Sequence, residues 1–193
     1  MRIIAGKLKG LKIHCPPGPA VRPTRDAVRE TLFQILAPEL AGTSVLDLFS
    51  GSGALGLEAL SRGARAVTFV ESNSRALASL EKNLSRAEVG DLCTVFRGTV
   101  QSFLKSPGDK DGRPFGVVLA DPPYRGFSPA RLEALFGALT RDWMAAPGIA
   151  VLESSAAEGP PLWMGRLGKA DFRVMGRTRI SIVRLKPFPG KGV

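Results

Sequence analysis

An α/β protein is predicted, with a seven-stranded mixed sheet between helices and a small basic extension at the N-terminus. Three observations predict it. From Thr43 onward, short apolar runs alternate with single amphipathic segments, the pattern of a parallel sheet covered on both faces. The last two runs, DFRVMG and RTRISIVRLK, adjoin one another and read as an antiparallel pair that closes the sheet with a mixed edge. A length of 193 residues fits one domain with a small appendage, divided here into an extension over 1–22 and a main domain over 23–193.

Each element has its own signal. Residues 2–14 contain RIIA and LKIHC joined by GKLKG, which suggests a basic β-hairpin. After the turn-rich CPPGPAVRPT, Thr24 is an expected helix cap, and Val28, Leu32, Ile35 and Leu36 fall on one face. Pro38 is expected to end that helix at about Ala37. SVLDLF is the first strand, and a glycine loop then opens a helix through Leu60. AVTFVE is the second strand, followed by a helix capped by Ser74 with Leu77, Leu80 and Leu84 inward. LCTVFR is the third strand, VQSFLK a short helix and FGVVLAD the fourth strand. Ser128 caps the next helix, with Pro129 at its first position and Leu132, Leu135, Phe136 and Leu139 inward, and GIAVLES is the fifth strand.

Composition excludes several classes. Apolar residues make up 44% and charged residues 23%, which argues against disorder, collagen and coiled coil. No apolar stretch approaches the roughly 18 residues of a membrane span, and lysine interrupts MRIIAGKLKG before a secretory core can form. A cytoplasmic monomer is expected. Cys15 and Cys93 have no CxxC spacing and His14 is the only histidine, so neither a structural zinc site nor a histidine-based triad can be assembled. Both thiols are expected to be reduced and buried, and His14 to be structural.

The net charge is +10, and its distribution is uneven. Residues 1–29 carry seven Lys/Arg against Asp26, and residues 166–193 carry eight against Asp171, leaving a slightly acidic middle. Two basic ends on an acidic body suit a protein that grips a polyanion. Arg2, Lys7, Lys9 and Lys12 of the hairpin are the candidates, together with Arg22 and the Arg25/Arg29 stripe of the first helix.

The first motif with chemistry is Asp47-Leu48-Phe49-Ser50-Gly51-Ser52-Gly53-Ala54-Leu55-Gly56, a strand leading through a glycine loop into a helix. Gly51, Gly53 and Gly56 satisfy GxGxxG, and Glu71 ends the next strand, so a dinucleotide fingerprint is formally met. The Asp47 carboxylate would repel a pyrophosphate lying over this turn. S-adenosylmethionine presents an ammonium and a sulfonium instead, and a charge-assisted contact to them is worth about 1.5–3 kcal/mol. Glu71 is the expected ribose partner in either case, and Phe49 and Ser72 complete the expected cofactor set.

The second motif is Asp121-Pro122-Pro123-Tyr124 after the strand VVLA, at the edge where open α/β sheets bind ligands. The amino group of a nucleobase is a poor nucleophile, because its lone pair is delocalised into the ring. Acceptors on its hydrogens, here Asp121 and the Pro122 carbonyl, draw the nitrogen toward tetrahedral geometry. The prolines fix the backbone and Tyr124 offers a stacking face.

With DPPY after the fourth strand and DLFSGSGALGLEAL after the first, the chain resembles the S-adenosylmethionine-dependent amino-methyltransferases of the class I, Rossmann-like fold. RIIAGKLKG, RPTRDAVRETLF and LDLFSGSGALGLEALSRGA, in this order and spacing, more narrowly resemble the RsmD-type methyltransferases. The resemblance implies methylation of the exocyclic N2 of a guanine in small-subunit (16S) ribosomal RNA, with S-adenosylhomocysteine as product and no metal. It implies cofactor binding by Asp47, Gly51, Gly53 and Glu71, catalysis around Asp121 to Tyr124, and Arg22 to Arg29 beside the mouth of the site. Where such enzymes often hold the adenine amino group with an acid, this chain has Gly98-Thr99-Val100, so Thr99 is the expected contact. The RNA could be naked or part of a partly assembled ribosomal subunit. Two alternatives are an adenine-N6 methyltransferase acting on DNA, for which the roughly 30-residue appendage leaves no recognition domain, and an NAD-dependent oxidoreductase, which Asp47 disfavours.

Overall fold

The computed structural model describes residues 1–15, 26–106, 114–123 and 127–185. Seven strands, β1 (Ser44–Leu48), β2 (Ala66–Glu71), β3 (Cys93–Arg97), β4 (Phe115–Ala120), β5 (Met144–Ser155), β6 (Gly168–Met175) and β7 (Thr178–Leu185), form one sheet in the order β3-β2-β1-β4-β5-β7-β6. The first five are parallel. β7 runs antiparallel between β5 and β6, so the expected mixed sheet with an antiparallel edge is observed. Strand order reverses between β1 and β4, which opens a crevice at their carboxyl ends.

Helices cover both faces because the central strands are buried on both sides; β1 is buried at every position. On one face lie α1 (Asp26–Leu40), α2 (Ala54–Ser61) and α3 (Ser74–Ala87), packing Leu32, Phe33, Leu36, Leu57 and Leu80 against Val45, Val67 and Leu119. On the other lie α4 (Val100–Lys105) and α5 (Pro129–Asp142), where Phe103, Leu132, Phe136 and Leu139 meet Leu46, Val118 and Leu152. Each such side chain contributes about 1.5–3 kcal/mol on burial. Among the described residues, no helix is long and apolar enough to cross a membrane.

The N-terminal segment turns back on itself and packs on the main domain. Arg2 and Lys12 form an antiparallel bridge, with Ile3 N–H donating to the Leu11 carbonyl at 2.9 Å and Ile13 N–H to the Met1 carbonyl at 3.0 Å, and Ile3 and Ile13 are buried in the core of the main domain. The segment is a strap laid along α2. Glu58 of that helix accepts the N–H groups of Ile4 at 2.8 Å and Ala5 at 3.1 Å, while Ser61 accepts that of Leu8 at 2.9 Å. The N–H groups of Ile3, Gly10 and Ile13 pair within the segment itself, and those of Ile4, Ala5 and Leu8 are satisfied by α2 side chains.

Three element boundaries differ from those expected. The first helix continues through Pro38 to Leu40, with fully buried Leu40 anchoring the extra turn against the hydrogen bond that Pro38 cannot donate to the preceding turn. The Thr43 hydroxyl then donates to the Glu39 carbonyl at 2.6 Å and closes the helix end. Asn73, and not Ser74, caps α3, accepting from Arg75 N at 3.0 Å and Ala76 N at 3.1 Å. β5 begins earlier than GIAVLES, at Met144, where Phe115 pairs with it before a register shift. Ser128 and Pro129 start α5 as expected, and the expected cap Thr24 lies outside the described residues. Cys15 and Cys93 are free and half-buried, less enclosed than expected.

Candidate active site

The glycine loop is shaped by three demands. Gly51 and Gly53 take left-handed φ of 57° and 80°, open to glycine at little cost. Gly56 lies so close to β2 that a Cβ there would come within 2.3 Å of the Phe69 ring. Phe49 also has φ of 59°, a strained value for a large side chain. Ser50 locks the exit of β1 onto β2, its hydroxyl donating to the Asp47 carbonyl at 2.6 Å and accepting Val70 N–H at 2.9 Å.

Asp47 is fully buried beneath this loop and accepts the N–H of Gly56 at 2.9 Å. Burial pushes its carboxyl up to about 7, opposed by the Gly56 bond and aided by Glu71. Its observed contact therefore holds the loop onto the strand. Glu71, at the end of β2, accepts Gly51 N–H at 2.8 Å on Oε2, and Ser72 and Asn73 N–H at 2.8 and 2.7 Å on Oε1. Ser72 is exposed. A Cβ on Gly51 would meet nothing closer than 4.0 Å, so the outer side of the loop is open beside the Glu71 carboxylate. Thr99 has a structural task as well: its hydroxyl caps α4, accepting Ser102 N–H at 3.1 Å.

Asp121 follows β4 directly across the crevice, its N–H 3.5 Å from the Leu48 carbonyl of β1. Pro122 is buried and Pro123 exposed; Tyr124 lies outside the described residues. Ala120 pairs with Leu152 in parallel register, so Glu153 on β5 stands one step beyond that pair, beside Asp121. Burial and the nearby Glu153 and Asp47 carboxylates hold the Asp121 carboxyl well above the usual range. Three acids thus crowd the carboxyl edge of β1, β4 and β5. A cation relieves their repulsion and a phosphate aggravates it.

Two of these features are not evident from sequence. Glu153 is the sole charge in an apolar run, but its approach to Asp121 depends on strand register. Phe127, just beyond the DPPY loop, packs edge-on against Phe49 with ring centroids 5.0 Å apart, and the Arg131 guanidinium lies 5.3 Å from its centroid. The two motif loops therefore meet through an aromatic pair.

The expected RNA contacts divide. Arg2, Lys7, Lys9 and Lys12 are exposed on the strap. Arg22 and Arg25 lie outside the described residues. Arg29 is a correction: it is fully buried, donating to the Arg2 carbonyl and to Asp26 at 3.0 Å, with Nε 3.7 Å from Glu58. It ties α1 to α2 and the strap, because its face of α1 packs against the core. The strap's turn sits at the far end of α2, where Lys7 N–H donates to the Ser61 carbonyl at 2.7 Å, roughly one 8-residue helix, about 12 Å, from the glycine loop.

Comparison with known proteins accords with this architecture. The family described as Conserved hypothetical protein 95 matches residues 1–184. Ribosomal RNA small subunit methyltransferase D of Escherichia coli (strain K12) is 40% identical over 162 residues, 83% of this chain and 78% of that one. The protein of that name from Haemophilus influenzae is 41% identical over 125 residues, 64% of each chain. Among solved structures, yhhF from Escherichia coli superposes with a TM-score of 0.81 at 34% identity, over 97% of this chain and 98% of that one. A hypothetical protein of Thermus thermophilus superposes with a TM-score of 0.79 at 30% identity, over 96% and 99%. On the family match over residues 1–184 and the 40% identity to the Escherichia coli protein, the chain belongs to the Conserved hypothetical protein 95 family, that of the ribosomal RNA small subunit methyltransferase D proteins.

Proposed function

We propose that the protein transfers the methyl group of S-adenosylmethionine to the exocyclic N2 of a guanine in small-subunit ribosomal RNA. The observation that carries this reading is the meeting of the Gly51–Gly53 loop and the Asp121-Pro122-Pro123 turn across the β1/β4 crevice, with Glu71 beside the loop. The names of the curated relatives support the RNA substrate.

The residues present fit this cofactor. Glu71 retains a lone-pair site on Oε2 for a ribose hydroxyl, since a carboxylate offers about four such sites and three are taken by Gly51, Ser72 and Asn73. The open side of Gly51 lets a ligand approach the backbone, and the acidic edge suits a cation. The bound cofactor supplies an activated methyl group on a positively charged sulfur. Asp121 and the Pro122 carbonyl accept from the guanine amino group, steering its lone pair toward that methyl. Asp121 is poised for this, because a cation at the crevice would draw its raised carboxyl into the ionised, accepting form. The amine sheds its proton readily after transfer, so a strong base is not required. Pro122 and Pro123 limit the turn to a narrow set of backbone angles, and Tyr124 offers a face to the base.

The strap residues Arg2, Lys7, Lys9 and Lys12, with Arg22 and Arg25, are the proposed phosphate contacts. Thr99 is the proposed adenine neighbour, acting through its backbone because its hydroxyl already serves as a cap. Tritiated methyl incorporation into small-subunit RNA, naked and partly assembled with ribosomal proteins, tests the reading. Label recovered as N2-methylguanosine is expected; label recovered only in adenine, or none in either RNA form, would overturn it.

A further inference from the structure

Asn83 lies on the inward stripe of α3 at 1% exposure, where helix periodicity calls for an apolar residue. Its amide is bonded at both ends. The two Nδ2 hydrogens go to the carbonyls of His14 at 2.8 Å and Ser52 at 2.9 Å. Oδ1 accepts the His14 N–H at 2.7 Å. Ser52 is the residue between Gly51 and Gly53, and His14 is near the end of the strap. A weaker contact runs alongside, from Cys15 Sγ to Ser52 Oγ at 3.8 Å. At its other end the strap is bonded to Glu58 and Ser61, on the helix that the same glycine loop opens.

A buried amide that leaves any of these groups unpaired is costly, so the loop and the strap each favour the arrangement that satisfies Asn83. We propose that Asn83 is a positioning residue that couples the cofactor loop to the strap. Ordering of the loop by the cofactor orders residues 13–15 and, through them, the strap that carries Lys7, Lys9 and Lys12. By linkage, RNA held on the strap tightens the cofactor by the same factor. The inference rests on the proposed cofactor and RNA reading.

The test is amide hydrogen exchange on the full chain with and without saturating S-adenosylhomocysteine, beside calorimetric titration of the same ligand. Protection of Gly51 and Gly53 together with at least about fivefold slower exchange at His14 is expected, the lower end of ordinary coupling. In Asn83→Ala the loop should still gain protection while His14 does not. With transcribed small-subunit RNA present, the S-adenosylhomocysteine Kd should tighten several-fold in the native protein and not in Asn83→Ala. Loop protection without His14 protection in the native protein overturns the coupling and leaves the cofactor reading standing. Neither heat nor loop protection overturns the cofactor reading itself, and the coupling with it. If Asn83→Ala does not fold, the native exchange pattern still decides between these outcomes.

Discussion

The backbone N–H of Gly51 lies 2.8 Å from Oε2 of Glu71, twenty residues further along the chain. One carboxylate thus holds the glycine loop of β1 against the end of β2, and its other oxygen takes the first two N–H groups beyond that strand. Removing Glu71 takes away both the proposed ribose acceptor and the brace of the loop.

Glu71→Ala is accordingly expected to weaken S-adenosylhomocysteine binding by about 1.5–3 kcal/mol, the range for losing a charged hydrogen-bonding partner. Calorimetry reads this directly. NAD should give no comparable heat with the native protein, and equal affinity for NAD would contradict the reading of the acidic edge.

Asp121→Ala should abolish methyl transfer while changing S-adenosylhomocysteine affinity little, since the role proposed for its carboxylate is to accept from the base amine. Single-turnover methylation with saturating cofactor measures the first, titration the second. Turnover near that of the native protein would refute the role assigned to Asp121.

The buried Asp47 makes stability depend on pH. Its carboxyl is raised from 3.8 to about 7, so the folded state binds the proton more tightly than the unfolded state. Its stabilising contribution is complete below about pH 4 and is lost as pH rises through about 7, by up to about 4 kcal/mol. Asp47→Asn keeps an acceptor for Gly56 and removes the charge. It should raise Tm at pH 8 and flatten the pH profile of urea unfolding between pH 4 and 7; an unchanged profile would show that Asp47 titrates normally.

Glu58 accepts from Ile4, Ala5 and Arg62, and faces Arg29 with both side chains fully buried. Glu58→Ala leaves the Ile4 and Ala5 amides without their acceptor, and the buried Arg29 guanidinium with Asp26 as its remaining carboxylate, a change that costs about 1–3 kcal/mol. Urea unfolding should show that loss, and the amides of Ile4 and Ala5 should exchange faster.

About four to six phosphate contacts on single-stranded RNA predict a log-log salt slope of roughly −3 to −4. Replacing Lys7, Lys9 and Lys12 together by alanine should flatten it by about two units in anisotropy titrations. Because all three are exposed, Tm should hardly move. An unaltered slope would shift the RNA surface to the basic strands β6 and β7.

Much of this was legible from residue order alone. Strand and helix alternation, the glycine loop and the terminal antiparallel pair are local patterns of period and turn chemistry, so β1 to β5 and their helices follow from the chain read in one direction. Asp47, Gly51, Gly53, Glu71 and Asp121 were legible for the same reason, each being tied to a strand end within its own motif. Arg29 shows where such reading stops. Four residues from Arg25, it looked like half of an exposed stripe, yet α1 turns that face inward and meets Glu58 from another helix. For the strap, local pattern records the two short runs that pair with each other but not the α2 side chains that bind the amides of Ile4, Ala5 and Leu8. Glu153 beside Asp121, Phe127 against Phe49 and Asn83 between His14 and Ser52 were decided by tertiary structure, through register and packing between segments far apart in the chain. Period and turn preference act over a few residues, whereas which buried polar groups find one another is set only when the sheet has assembled and water has been excluded.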